Sequence, residues 1–203
     1  MGNIFDQWAP SYDEDVQDSD ENQQYPFAGY ENVLNEIEHR IVTMKAKKIL
    51  DIGIGSGTLA KRLADQGIEV VGVDGSKEML ALAREKLPDG VLYEYNIEEG
   101  LPEEVLDDNY DVIVSTYTLH HLNDAKKVKF IELLFGLLTA GGKILIGDIA
   151  FSSRELENAC RIDFEPLWDE EEYYLISDEL IESFPQLKFE AKSFCAGVFE
   201  ISN

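Results

Sequence analysis

Two groups of residues have the types and spacing to do chemistry. The first is Asp51-Ile52-Gly53-Ile54-Gly55-Ser56-Gly57-Thr58, with Asp74 some way downstream. Glycines so closely spaced let a backbone turn tightly and approach a ligand without a Cβ in the way. An acid about 20 residues past the first glycine, at the end of the next strand, can accept hydrogen bonds from both hydroxyls of a ribose. Together they suit a nucleoside-bearing ligand. The dinucleotide fingerprint G-x-G-x-x-G would need glycine where Thr58 stands, so that reading is the weaker one. A glycine turn that binds nothing is the plainest alternative. The second group is His120-His121, whose imidazoles titrate near neutrality and suit proton removal. Tyr12, Tyr30 and Tyr117 could add hydroxyl contacts or a ring face for a cation.

These residues need elements to hold them. Tyr30, Val33, Leu34, Ile37 and Ile41 recur at helical spacing. Residues 49–53 form a short apolar run ended by glycine, a buried strand. A helix follows from Thr58 to Gln66, then a strand over 69–74. Ser76 is an N-cap for a helix reaching Leu87. Strands are predicted at 91–95, 111–115 and 143–148, the last after a helix over 126–138 and the turn Gly141-Gly142. The alternation predicts a parallel sheet with helices on both faces and right-handed crossovers. The glycine turn then lies at the carboxyl end of the first strand, where open α/β sheets bind ligands. Helices are expected near 152–164 and 177–184. A closing β-pair, 187–194 and 196–201, adds one antiparallel strand at the sheet edge. Residues 13–24, crowded with acids and without apolar periodicity, read as a mobile, solvated segment; a calcium loop lacks its turn glycine and terminal Glu.

The chain has 203 residues and a formal net charge of −24, enough length for one domain with a sizeable core. Such a field repels phosphate backbones and anionic lipid surfaces, so neither nucleic acid nor membrane is expected as a partner. It would attract a small cation. Cys160 and Cys195 form no C-x-x-C pair, and no Cys/His cluster has zinc-ligand spacing, so no metal is expected. No apolar run approaches a membrane span and no signal peptide is visible, which makes the expected location cytoplasmic. Oligomeric state is not readable.

The spacing G-x-G-x-G, an acid two residues before it and Asp74 after it resemble motif I and the ribose acid of class I S-adenosylmethionine-dependent methyltransferases. Other segments extend the resemblance over roughly residues 5–150. Phe5 to Asp13 resembles an F-D-x-W-A-x-x-Y-D opening that closes over the cofactor in this family. Ser76-Lys77-Glu78-Met79-Leu80 resembles S-x-x-M-L, and Leu119-His120-His121-Leu122 contains the family's H-H-L. Leu138 to Lys143 resembles L-x-P-G-G-x, with Ala140 in place of Pro. The chain is most similar to the small YrrT-like group of bacterial methyltransferases.

The resemblance implies a Rossmann-like fold: a mostly parallel seven-stranded sheet, helices on both faces, one antiparallel edge strand. It implies one domain over residues 1–203, with residues 1–45 as an N-terminal helical lid. The implied cofactor is S-adenosyl-L-methionine. Its site would comprise Gly53, Gly55, Gly57, Asp74, Gly75, Met79, Asn96, Ile97, Ser115 and Tyr12. Asn96 stands where the family often has Asp. His120 is the candidate general base. No D/N-P-P-Y/F motif follows the fourth strand, so the implied acceptor is a small molecule. Residues 160–175, with Trp168, Tyr173 and Tyr174 beside several carboxylates, would suit a cationic one. A cofactor-binding protein without turnover and an NAD(P)-dependent oxidoreductase are the two other readings.

Overall fold

The alternating runs fold into a wound sheet. The computed structural model describes residues 12–202. It opens with helices α1 (Tyr12–Glu21) and α2 (Tyr30–Thr43). Then come β1 (Lys48–Ile52), α3 (Thr58–Asp65), β2 (Glu69–Asp74), α4 (Lys77–Lys86) and β3 (Val91–Glu94). The second half carries α5 (Glu103–Leu106), β4 (Tyr110–Thr116), α6 (Asp124–Phe135), β5 (Leu138–Phe151) and α7 (Arg154–Asp163). It ends with β6 (Leu175–Ile176), α8 (Ser177–Ser183), β7 (Lys188–Ala191) and β8 (Ala196–Ser202).

The strand order is β3-β2-β1-β4-β5-β8-β7, with the two-residue β6 beside the end of β5. Strands β1 to β5 are mutually parallel. The closing pair brings in the antiparallel strand: β8 runs against β5 on one side and β7 on the other. The order reverses at β1, so a crevice opens between the carboxyl ends of β1 and β4.

Strand β1 is buried on both faces, as a central parallel strand must be. Ile49 faces a core with Leu34, Ile37 and Ile41 of α2 and Leu59 and Leu63 of α3. Leu50 and Ile52 face a second core with Ile131 and Leu134 of α6. Helix α2 lies close on the sheet because Gly147 has no side chain; a Cβ there would sit 2.3 Å from Val33 Cγ1. Strand β5 begins earlier than its sequence suggests. Leu138 pairs with Tyr110, and the register then shifts before Val112 pairs with Lys143, so Gly141 and Gly142 lie within the strand as an irregularity.

Residues 13–24 correct the sequence reading. They are largely solvent-exposed, as their acids predict, but most of them form a helix, α1. Asp13, Glu14 and Asp15 lie in its first turn, where negative charge opposes the helix dipole favourably. Val16 is buried beneath them. Asp20 has a capping role that single-residue spacing hides: its carboxylate accepts from Gly29 N at 2.7 Å and Glu31 N at 3.0 Å, at the start of α2. The Phe5–Ser11 part of the aromatic opening lies outside the described residues, as does the Tyr12 side chain.

Candidate functional site

The three glycines of the turn take left-handed backbone angles, φ +69° at Gly53, +55° at Gly55 and +80° at Gly57. That conformation is unfavourable for residues with a Cβ. Gly53 is restricted twice over: a Cβ would lie 2.0 Å from Thr118 Oγ1. At Gly55 the space is open. Gly53 N and Ile54 N both donate to Val73 O, at 2.8 and 3.1 Å, and fasten the turn to β2. Gly57 leads into α3 without a side-chain cap, so the first-turn N–H groups of α3 face the loop.

Asp74 organises the far side of the turn. One carboxylate oxygen accepts from Gly55 N at 2.8 Å and the other from Ser76 N at 2.7 Å. A carboxylate can take about four hydrogen bonds in all. Ser76 is the N-cap of α4, as its sequence position predicts, accepting from Met79 N at 3.2 Å. Gly75 is exposed and Met79 is buried.

Asp51 is the turn's buried acid. It is 1% exposed, and its Oδ1 has no hydrogen-bond partner among the described residues. Burial, with the negative charge of Asp74 adding to it, pushes its pKa up to about 7. A buried carboxyl oxygen without a donor is costly and calls for one.

A polar cluster ties the turn to its neighbours. Ser56 Oγ donates to Asp13 Oδ1 at 2.7 Å, and Lys86 Nζ donates to Asp13 Oδ2 at 2.9 Å. Lys86 also reaches Ser56 Oγ and Thr58 Oγ1, both at 3.1 Å. Helix α1 is thereby held across the turn. A cavity of about 30 Å³ opens beside it, lined by Tyr30, Gly53, Gly55, Ser56, Thr116 and Tyr117, among others. Tyr117 has φ +49°, a strained angle for an aromatic residue, and its ring lies 5.0 Å from that of Tyr30.

The other residues named from the sequence fall in different settings. Asn96 is exposed and caps a short 3₁₀ turn (Ile97–Glu99), accepting from Glu98 N at 3.0 Å. Its amide oxygen can accept one more bond. Ile97 is half-buried against the α6 side of the sheet. Ser115 is buried and donates to Ile52 O at 3.1 Å, so its hydroxyl ties β4 to β1. Trp168, Tyr173 and Tyr174 do not form one open cage. Trp168 stacks on Tyr25 and meets Tyr174 edge-on, while Tyr173 is 45% exposed. Apolar packing of the rings outweighs the cluster of acids in setting this segment.

His120 lies past the end of β4 and is 5% exposed. Its Nδ1 is 2.5 Å from Oδ1 of the fully buried Asp148. Burial opposes charging the imidazole, but the attraction of Asp148 and the hydrogen bond to it prevail and raise the His120 pKa. Asp148 also accepts from Leu119 N at 3.0 Å and Ile149 N at 2.8 Å, which fixes its own orientation. The His121 ring centroid is 4.0 Å from that of His120, and burial followed by this neighbour pushes its pKa down to about 3. Sequence reasoning missed Asp148 and took Glu172 only as one of several carboxylates in residues 160–175. Glu172 Oε1 lies 3.5 Å from His120 Nε2. Neither acid is close to the histidines in sequence; only the folded β5 and the β6 approach bring them there.

The comparisons with known proteins bear on this arrangement. A family model described as "Methyltransferase domain" matches residues 49–142, which span the glycine turn, Asp74 and both histidines. An uncharacterized methyltransferase of Geobacillus sp. (strain WCH70) is 36% identical over 92% of this chain and 88% of its own length. The chain belongs to the methyltransferase family. A second such methyltransferase, from Geobacillus thermodenitrificans, is 37% identical over 89% of this chain and 85% of its own. Among solved structures, a complex titled DhpI-SAM-HEP aligns with a TM-score of 0.70 and 18% identity, covering 97% of this chain and 92% of its own. An S-adenosylmethionine-dependent methyltransferase from Clostridium acetobutylicum aligns equally well, at 0.70 and 13%, over 94% and 98%. Membership of the methyltransferase family sets aside the nicotinamide-dependent reading. Among the described residues, no helix is long and apolar enough to cross a membrane.

Proposed function

We propose that this methyltransferase takes S-adenosyl-L-methionine into the crevice between β1 and β4 and methylates a small-molecule acceptor. The observation that carries the cofactor assignment is the buried Asp51 oxygen without a donor, set under a turn of left-handed glycines. An amino-acid ammonium is the donor that would satisfy it. When bound, the donor supplies a methyl group already activated by a positive sulfur. The chain's residues bind and orient. Gly53, Gly55 and Gly57 keep the backbone close, Asp74 accepts from the ribose, and Gly75, Met79, Asn96 and Ile97 border the base. Ser115 supports the crevice by joining the strand ends. Tyr12 stands at the start of α1, which Asp13 holds over the turn; α1 is the lid part of the segment read as residues 1–45, α2 belongs to the core, and residues 1–11 lie outside the described residues, within one domain read as residues 1–203.

On this reading His120 takes a proton from the acceptor. Asp148 holds Nδ1, which leaves Nε2 as the working nitrogen. The net charge supports an acceptor that is neutral or cationic and disfavours nucleic acid. The buried, unreactive thiols of Cys160 and Cys195, pushed up to about 11 and 12 chiefly by burial, support a reducing, cytoplasmic setting. The sequence motifs support a place beside the YrrT-like enzymes. Calorimetry with the cofactor and its demethylated product tests the binding; micromolar affinity is expected, and an indifferent protein refutes it. A screen of small acceptors with a labelled methyl donor tests the reaction class, and turnover confined to nucleic acid or protein would overturn it.

A further inference from the structure

His120, His121 and Glu172 converge in a way that proton transfer alone does not require. His120 Nε2 and Glu172 Oε1 are 3.5 Å apart, and His121 Nδ1 and the same oxygen are 3.9 Å apart. The three atoms all lie within 4.8 Å of one another. Ligands of a tetrahedral ion with bonds of roughly 2.0–2.1 Å sit about 3.3 Å apart. Two of these separations therefore approach that value, and the third pair lies within 4.8 Å.

We propose that His120 Nε2, His121 Nδ1 and the Glu172 carboxylate form a site for a divalent transition-metal ion of the zinc or cobalt class. Two imidazole nitrogens and one carboxylate oxygen suit such ions better than magnesium or calcium, which prefer all-oxygen shells. Three protein ligands leave a coordination position open to water or to a small oxygen or nitrogen ligand.

The surroundings are built as a metal site's supporting shell is built. Asp148 holds His120 Nδ1, the carboxylate–histidine pairing that fixes a ligand's tautomer and directs Nε2 outward. The irregular segment bearing Glu172, just before β6, is fastened at the next residue through both its N–H and its carbonyl. Tyr173 N donates to His120 O at 2.7 Å, and Tyr173 O accepts from the buried Lys127 Nζ at 2.6 Å. His121 and Glu172 side chains are 29% and 22% exposed, which gives an ion a way in while His120 stays at 6%. An ion on Nε2 and an acceptor proton on Nε2 exclude each other, so a filled site silences His120 as a base.

The test uses the whole chain, stripped with a chelator and titrated with Co²⁺ and with Zn²⁺ near neutral pH. One equivalent should bind, and Co²⁺ should show the visible absorption of low-coordinate nitrogen and oxygen ligation. Glu172→Gln and His121→Ala should each weaken binding at least about tenfold, and Asp148→Asn about 10- to 100-fold. Should a variant fold poorly, wild-type NMR decides: Co²⁺ must shift and broaden the ring signals of both His120 and His121. Wild-type stoichiometry and affinity in Glu172→Gln and His121→Ala overturn the site, as does a wild-type protein that ignores millimolar Co²⁺ or leaves those ring signals untouched. Titration of the same samples with the demethylated cofactor reports separately on the turn, so failure of one assignment is distinguishable from failure of the other.

Discussion

Replacing Asp51 by Asn isolates the energetics of the buried acid. An unfolded Asp titrates near 3.9, whereas burial holds Asp51 at about 7 in the folded protein. Between those values the folded state binds more protons than the unfolded state, so this group's contribution to stability falls as pH rises. It is intact below the unfolded pKa and fully lost above the folded one. Integrating a slope of about 1.4 kcal/mol per pH unit over the gap gives a total of roughly 4 kcal/mol. From pH 5 to pH 8 the loss is about 2.5 kcal/mol by the same reasoning. Asn has nearly the same shape and no titration, so Asp51→Asn should gain about that much on the wild type across the interval. Urea denaturation of both proteins at several pH values, without cofactor, reads the difference directly, since all other groups cancel. Parallel stability curves would refute the reasoning. The same substitution removes the anionic acceptor for an ammonium, so the variant should be more stable at alkaline pH and yet bind S-adenosylmethionine more weakly. Undiminished cofactor affinity would show that the orphaned oxygen is not part of the binding site.

Asp74→Ala should weaken S-adenosylmethionine binding by about 1.5–3 kcal/mol in calorimetry, the scale of hydrogen bonds to a charged group. Gly53→Ala should destabilise the fold by roughly 2–5 kcal/mol in chemical denaturation, combining an unfavourable left-handed angle with overpacking on Thr118; adding Thr118→Ala should recover the overpacking part and leave the angular part. Asp148→Asn should lower the His120 pKa in an NMR titration, because the attraction and hydrogen bond that overcome burial are weakened; an unmoved midpoint would mean that Asp148 does not set the protonation of His120.

What was legible in the sequence, and what was not, follows from the range of the interactions. β1 and β2 were readable because central parallel strands are continuous apolar runs, and Ser76 because its capping bond spans three residues. The pairing of Gly55 with Asp74 was accessible because a strand–turn–helix–strand unit fixes where the second strand ends. Residues 13–24 misled because their helix is decided by contacts that no local pattern carries: Val16 buried, Asp13 held by Ser56 and Lys86, and Asp20 closing the start of the next helix. The histidines show the same limit at the functional end. His120 was visible as a residue type, but its partners come from the far side of the fold, Asp148 on β5 and Glu172 before β6. On the proposed reading, the cofactor side is therefore announced locally, because the glycine turn and Asp74 belong to one contiguous supersecondary unit. The proposed acceptor side is hidden, because His120, Asp148 and Glu172 come from segments whose meeting depends on the whole sheet.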